Sequence, residues 1–173
     1  SALIRAAQNG KDVSVFVEIK ARFDEASNLK SAKEMEEAGI KIVYSIPGLK
    51  VHAKIAMVIR DEGNGREKGY AFLSTGNFNE KTARLYTDQG YLTARREIIA
   101  ELQEIFAHLL DQSYIPKTFK TLLVAQFGMK ERYADFIRYE IEQARQGKPS
   151  GIFIKINNLE DRQMIRLLYE ASQ

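Results

Sequence analysis

A histidine and a lysine two residues apart are the side chains of this sequence best suited to phosphate chemistry. His52 and Lys54 follow the turn-forming pair Pro47-Gly48. In a strand, side chains alternate between two faces, so the imidazole and the ammonium are predicted to stand side by side. A neutral imidazole is a nucleophile toward phosphorus, and a neighbouring cation lowers its pKa and attracts the anion. The alternative is a surface strand with two solvated polar side chains.

A second polar segment, residues 74–79, ends a predicted hairpin. Residues 50–60 and 68–74 have strand character, and the glycines at 63 and 65 suit the turn between them. Antiparallel pairing would bring the segment back near His52. Gly76 permits close backbone approach, and Asn77 can hydrogen-bond an imidazole or a phosphate oxygen. A polar turn without chemistry is the alternative.

Further charged residues flank these two segments. Lys81 and Arg84 lie just after the turn, in a stretch that could equally be a solvated helical turn. Arg22 follows the first predicted strand, at the edge where α/β sheets bind ligands, and could grip phosphate bidentately. The next two residues, Asp24 and Glu25, could touch a hydrated Mg²⁺ carried by a nucleotide.

The other histidine, His108, is given no role. It shares a helical stripe with Glu101 and Glu104, opposite the apolar face, so it is expected to be solvated.

The elements that must position these residues form an α/β pattern. A strand at 11–20, a helix at 24–38 ended by Gly39 and a strand at 41–46 predict a βαβ unit with a parallel sheet. A short strand at 91–94 and an amphipathic helix at 96–110 follow. A boundary near 117 then separates a first α/β domain from the opening of a second one, with a helix near 130–146, a strand at 151–156 and a last helix start.

Composition argues against several classes of protein. The 173 residues are 45% hydrophobic and 28% charged, which is typical of a folded domain. No stretch approaches the ~18 apolar residues of a membrane span, and no signal peptide is evident. The chain has no cysteine, and its net charge of +3 is too mild for a nucleic-acid coat protein. A helix without an N-cap at 1–9 and a last helix that stops at 172–173 suggest a piece of a larger protein.

Four blocks of sequence resemble the polyphosphate kinase family, whose members polymerise the terminal phosphate of ATP into inorganic polyphosphate. They are ARFDE at 21–25, PGLKVHAK at 47–54, LSTGNFNEKTARLYTD at 73–88 and KPSGIFIKINNL at 148–159. The resemblance implies a phospholipase-D-like mixed β-sheet flanked by helices. Residues 1–117 would form a first catalytic lobe at the carboxyl end of a larger enzyme, and residues 118–173 the start of a second.

The resemblance also implies roles for individual residues. His52 would be the autophosphorylated histidine that passes the ATP γ-phosphate to polyphosphate, while Lys54 and Asn77 would bind that phosphate. Arg22 would lie at the phosphate and Mg²⁺ site without being a conventional metal ligand, and Tyr86 would line the nucleotide pocket. Lys50 and Arg84 are assigned to phosphate or nucleotide binding. The implied cofactor is Mg²⁺ with ATP, and the implied partners are ATP, ADP and polyphosphate.

Two alternatives to a kinase stay open. The phospholipase-D pattern HxKxxxxD would place aspartate at position 59, where this chain has Ile59. That departure argues against a dimeric phosphodiesterase or nuclease. A polyanion-binding module without turnover would use Lys50, Lys54, Lys81 and Arg84.

For the parent enzyme, we expect a homo-oligomer without a specific nucleic-acid partner. We expect it in the cytoplasm, with peripheral attachment to the inner membrane as an alternative. The fragment by itself is expected to be inactive.

Overall fold

The computed structural model describes residues 1–19, 25–156 and 158–173. They divide into two compact units, Ser1–Lys117 and Thr118–Gln173. Arg22 and Asp24 lie outside the described residues, so their predicted roles stay predictions. In the described part of the chain, no helix is both long enough and apolar enough to cross a membrane.

The first unit opens with the βαβ arrangement. Two strands pair in parallel, with Ser14 opposite Lys41 and Val17 opposite Tyr44. The intervening helix ends at Glu37 and is followed by Gly39, whose φ of 85° is one that glycine adopts without strain; the Gly39 amide donates to the Glu36 carbonyl at 2.9 Å. The predicted βαβ unit and glycine cap are therefore confirmed. Its elements are α1 (Ala2–Gln8), β1 (Ser14–Val17), α2 (Glu25–Glu37) and β2 (Lys41–Tyr44).

Contrary to expectation, the first helix has an N-cap. The Ser1 hydroxyl accepts a hydrogen bond from the Ile4 amide at 3.3 Å.

A three-stranded antiparallel sheet carries the candidate site. Lys54 pairs with Ser74 at one end of the hairpin and Asp61 with Glu67 at the other. The predicted hairpin turn is present and contains Gly63, Asn64 and Gly65, all of which have positive φ. The strands are β3 (Lys54–Asp61), β4 (Glu67–Ser74) and β5 (Gly90–Thr93), and the short helix α3 (Glu80–Ala83) precedes β5.

The helix α4 (Arg96–Leu110) packs its apolar stripe on this sheet. Ile98, Ile99 and Leu102 are buried, and so is Ala71 on β4. A Cβ at Gly69 would overlap the Ile99 side chain, so the glycine is what lets α4 approach β4 so closely. The helix thus holds the middle of the hairpin firmly.

The second unit contains α5 (Met129–Arg145) and α6 (Arg162–Ala171). They bury a cluster of Ala134, Ile137, Ile141 and Leu167. The strand predicted at 151–156 is wrong for this structure: these residues join no ladder in the described part of the chain, and Phe153 is fully exposed. Alternating apolar residues favour an extended chain, but a strand also needs a neighbour for its backbone hydrogen bonds.

Candidate active site

His52 and Lys54 lie in direct contact. Lys54 Nζ lies 3.0 Å from His52 Nε2 and donates to the His52 carbonyl oxygen at 2.7 Å. The predicted strand over 50–60 is wrong at its start, because β3 begins at Lys54 and residues 49–53 are irregular. Ala53, between the two residues, is exposed. The contact between the imidazole and the ammonium thus joins the irregular segment to the first residue of β3.

The surroundings favour a neutral imidazole. Partial burial lowers the pKa of His52 below its usual 6.5, and the positive charges of Lys54 and then Lys50 lower it further. With an ammonium facing Nε2, that nitrogen is the acceptor and the imidazole proton resides on Nδ1. The basic nitrogen of a neutral histidine is thus turned toward a cation that can bind phosphate.

Opposing effects act on the pKa of Lys54. Partial burial is the larger effect and lowers its pKa, whereas the carboxylate of Asp88 raises it and Lys50 lowers it again. Asp88 lies against Gly76, where a Cβ would overlap its carboxyl group. Gly76 therefore makes room for the carboxylate that supports the charge of Lys54.

The end of β4 approaches the site as predicted. Ser74 is opposite Lys54 in the hairpin, and its hydroxyl accepts from the Gly76 amide at 3.0 Å. Thr75 and Gln89 exchange hydrogen bonds, with the Thr75 amide donating to the Gln89 carbonyl at 3.0 Å and the Gln89 amide donating to the Thr75 hydroxyl at 2.9 Å. These contacts fix the turn that carries Asn77.

An open cleft of about 600 Å³ adjoins this turn. Tyr86 lies on its wall and is 69% exposed, beside the tilted ring pair Phe72 and Phe78. Arg84 is exposed at the C-cap of α3. The cleft is lined by Phe72, Ser74, Gly76, Asn77, Phe78, Ala83, Tyr86, Thr87, Asp88, Gln89 and Gly90.

Two polar residues at the ends of the parallel strands were missed from the sequence. The carboxylate of Glu18, just after β1, accepts from the Ser45 hydroxyl at 2.6 Å and from the Val51 amide at 3.1 Å. Ser45 follows β2, and its hydroxyl also accepts from the Ile19 amide at 2.8 Å. Their positions after adjacent parallel strands were the available signal, because such strands end at the same edge of a sheet.

His108 lies apart from this network and is not solvated as expected. It is half-buried on α4, and its Nδ1 lies 2.8 Å from the Tyr114 carbonyl oxygen. The neighbouring Glu104 accepts from the Tyr114 hydroxyl at 2.6 Å and from the Lys117 amide at 3.0 Å. These contacts tie the chain after α4 back onto the helix.

Family models match both units. The model described as polyphosphate kinase C-terminal domain 1 matches residues 1–115, and the one for C-terminal domain 2 matches residues 122–173. The chain belongs to the polyphosphate kinase family. Two named relatives agree with this assignment. The polyphosphate kinase of Thermosynechococcus vestitus is 47% identical over 173 residues, and that of Escherichia coli K12 is 46% identical over 171 residues.

A solved polyphosphate kinase shares the fold. The crystal structure of the Porphyromonas gingivalis enzyme matches with a TM-score of 0.84 and 48% identity over 99% of this chain and 28% of that one. The mixed α/β class predicted from the sequence is confirmed. The matches to the two relatives above include 100% and 99% of this chain, but only 23% and 25% of the relatives' own length. It therefore spans about a quarter of a polyphosphate kinase of that length.

Two further observations concern the phospholipase-D pattern and metal binding. Ile59 lies on β3 opposite Gly69, so the position of the phospholipase-D aspartate carries an apolar side chain here. Within residues 1–19, 25–156 and 158–173, no cluster of three or more His, Cys, Asp or Glu could hold a metal ion.

Proposed function

We propose that this chain supplies the phosphoryl-accepting histidine of an enzyme that transfers phosphate between ATP and inorganic polyphosphate. Family membership supports the reaction class. The observation that carries the role of His52 is the 3.0 Å contact between its Nε2 and Lys54 Nζ. A nitrogen lone pair next to a phosphate-attracting cation is the arrangement that a covalent phosphoryl transfer requires.

The transfer has two steps. Nε2 of the neutral imidazole attacks the γ-phosphorus of ATP, an N–P bond forms, and the bond between the γ-phosphorus and the bridging oxygen breaks, so ADP leaves with the electron pair. A terminal oxygen of polyphosphate then attacks the same phosphorus, and the N–P bond breaks. The pair returns to the imidazole, the polymer gains one phosphate, and each step is reversible.

Lys54 has to change partners during the first step. Its ammonium faces Nε2 at 3.0 Å, the position that the phosphorus must occupy. Incoming phosphate oxygens, being negatively charged, attract the ammonium away from the ring and release the lone pair. Because phosphoryl transfer depends on positioning and charge neutralisation, the same movement prepares both the nucleophile and the electrophile.

The remaining assignments follow the family resemblance. Asn77 is proposed to hold the transferring phosphate, and Tyr86 to line the site of the nucleotide. Lys50, Arg84 and Arg22 are proposed to bind phosphate groups. Mg²⁺ is proposed to arrive with ATP. We further propose that the full-length protein is a cytoplasmic homo-oligomer.

A labelling experiment on the full-length protein that contains this chain tests the proposal. Wild type, His52→Ala and His108→Asn would be mixed briefly with ATP labelled at the γ-phosphate in the presence of Mg²⁺. Asparagine at 108 retains a donor for the Tyr114 carbonyl, so this variant is a matched control for the loss of a histidine. Acid-labile, alkali-stable label and polyphosphate are expected in wild type and His108→Asn, and neither in His52→Ala.

Two results would overturn the proposal. Label that persists in a folded His52→Ala variant would move the covalent step to another residue. Salt-dependent polyphosphate binding without any label in wild type would favour a binding module instead.

A further inference from the structure

The backbone that carries His52 lacks the support of a sheet. Residues 49–53 form no strand, and Pro47-Gly48 makes a turn in which the Leu49 amide donates to the Ile46 carbonyl at 3.1 Å. Gly48 has a φ of 78°, a conformation without strain only for glycine. On its other side, the chain is fixed from Lys54 onward by pairing with Ser74. The segment between these points needs a separate attachment if the imidazole is to keep one position.

Glu18 provides such an attachment. Its two carboxylate oxygens have different partners: one accepts from the Ser45 hydroxyl, just after β2, at 2.6 Å, and the other accepts from the Val51 amide, in the irregular segment, at 3.1 Å. Val51 immediately precedes His52. Both distances lie within the range of well-formed hydrogen bonds and Glu18 is partly buried, so its side chain can anchor this backbone.

We propose that Glu18 is a positioning residue for His52, because its carboxylate fastens the backbone directly before the histidine to the ends of β1 and β2. This inference rests on the proposed function of His52. Glu18 holds the imidazole at the angle and distance that attack on phosphorus requires. A nucleophile displaced by about 1 Å can lose about 10²-fold in rate, so a lost anchor should lower turnover much more than substrate binding.

The other oxygen of the carboxylate makes the anchor rigid. The Ser45 hydroxyl donates to the Glu18 carboxylate and accepts from the amide of Ile19, the residue after Glu18. One hydroxyl thus links the side chain of Glu18 to the adjacent backbone. Loss of this hydroxyl should therefore weaken the hold on Val51 without a direct contact to it. Glu18→Ala and Ser45→Ala should then be non-additive, since they act through one attachment.

The chain offers a matched control in Glu104. Its carboxylate also accepts from one hydroxyl, that of Tyr114, and one backbone amide, that of Lys117. It ties a loop to α4 and is not part of the proposed site. Glu104→Ala removes the same two kinds of hydrogen bond from the same unit, together with an ion pair to Lys117, so it separates a general loss of stability from a loss of positioning.

The test compares Glu18→Ala, Glu18→Gln and Glu104→Ala in the full-length protein. We expect Glu18→Ala to lower the rate of His52 labelling by about 10- to 100-fold with KM for ATP within about threefold of wild type. Glu18→Gln keeps an acceptor for the Val51 amide and should restore most of that rate. Hydrogen exchange of residues 46–53 should accelerate in Glu18→Ala alone, whereas Glu104→Ala should change neither labelling nor this exchange.

Three results would contradict the proposal. Unchanged exchange at 46–53 in Glu18→Ala would show that the carboxylate does not hold the segment. Faster hydrogen exchange at 46–53 with normal labelling would show that His52 does not need this attachment to react. An equal loss of labelling in Glu104→Ala would show that the loss in Glu18→Ala comes from a general loss of stability. If wild type takes no label on His52, the proposed function fails instead, and the exchange measurement alone then decides whether Glu18 anchors the segment.

Discussion

The protonation of His52 is set by its immediate neighbours. Partial burial is the largest cause of its lowered pKa, and Lys54 is the next. Lys54→Met keeps the length of the side chain but removes the charge, so the pKa of His52 should rise part of the way toward 6.5. In the proposed mechanism the neutral ring is the nucleophile, so the rate of labelling should increase as pH rises through this pKa. The rising limb should therefore move to higher pH in the variant.

NMR titration of the His52 ring checks this directly. Lys81→Met is the matched control, because Lys81 is exposed on α3 and is not among the causes of the shift. A His52 pKa that stays unchanged in Lys54→Met, or falls, would refute the electrostatic account.

Gly76 affects the charge of Lys54 through the position of Asp88. A methyl group there would overlap the Asp88 carboxyl, which raises the pKa of Lys54 against the larger opposing effect of burial. Gly76→Ala should push the carboxylate away and lower the pKa of Lys54 further. Since the proposed role of Lys54 requires its ammonium form, the alkaline loss of labelling should begin at lower pH.

Asp88→Asn removes the same charge with little change in size and should shift this limb in the same direction. If both variants retain the wild-type alkaline limb, Asp88 does not support the charge of Lys54.

At the level of elements, the hairpin is held by its contact with α4. A Cβ at Gly69 would overlap Ile99, which is buried. Gly69→Ala should destabilise the protein by about 1–3 kcal/mol, because extra volume in a packed core forces side chains or backbone to shift. Thermal or denaturant unfolding measures this loss.

Ile99→Ala provides the other half of a double-mutant cycle. It should cost about 2–5 kcal/mol by itself, since it leaves a cavity. The double variant should be less destabilised than the sum of the two, because the new methyl fills part of that cavity. Strict additivity would indicate that Gly69 and Ile99 do not share the contact.

Local patterns predicted the elements better than they predicted the site. The βαβ unit, the hairpin and the helix α4 follow from short-range periodicity and from glycines at turns, so the sequence identified them. The proximity of His52 and Lys54 was predicted from strand alternation, although the strand itself begins only at Lys54. The bond from Val51 to Glu18 joins residues 33 apart, and no periodicity reports a pairing of that kind. The strand expected at 151–156 was wrong because alternation describes one segment and not the partner that a strand requires.

At the level of the whole molecule, the proposed phosphate transfer needs positive charge from more groups than the immediate neighbours of His52. In the described residues, Lys54 and Lys50 are the cations whose charge lowers the pKa of His52. ATP and polyphosphate each bring several negative charges to one place, and transfer requires their neutralisation. The relatives are about four times as long as this chain, which covers 23% and 25% of them. The missing groups are expected in the remainder of such a protein.

The 173-residue chain by itself should therefore form little or no polyphosphate. The full-length protein, assayed at the same molar concentration with γ-labelled ATP and Mg²⁺, is the control. His52→Ala in both lengths separates transfer through His52 from background hydrolysis. Trace labelling of His52 without polymer would mean that the short chain retains the nucleophile but not the acceptor site. Robust ATP-dependent synthesis by the short chain would contradict the prediction, because Lys50, Lys54 and their neighbours would then suffice to bind both donor and acceptor.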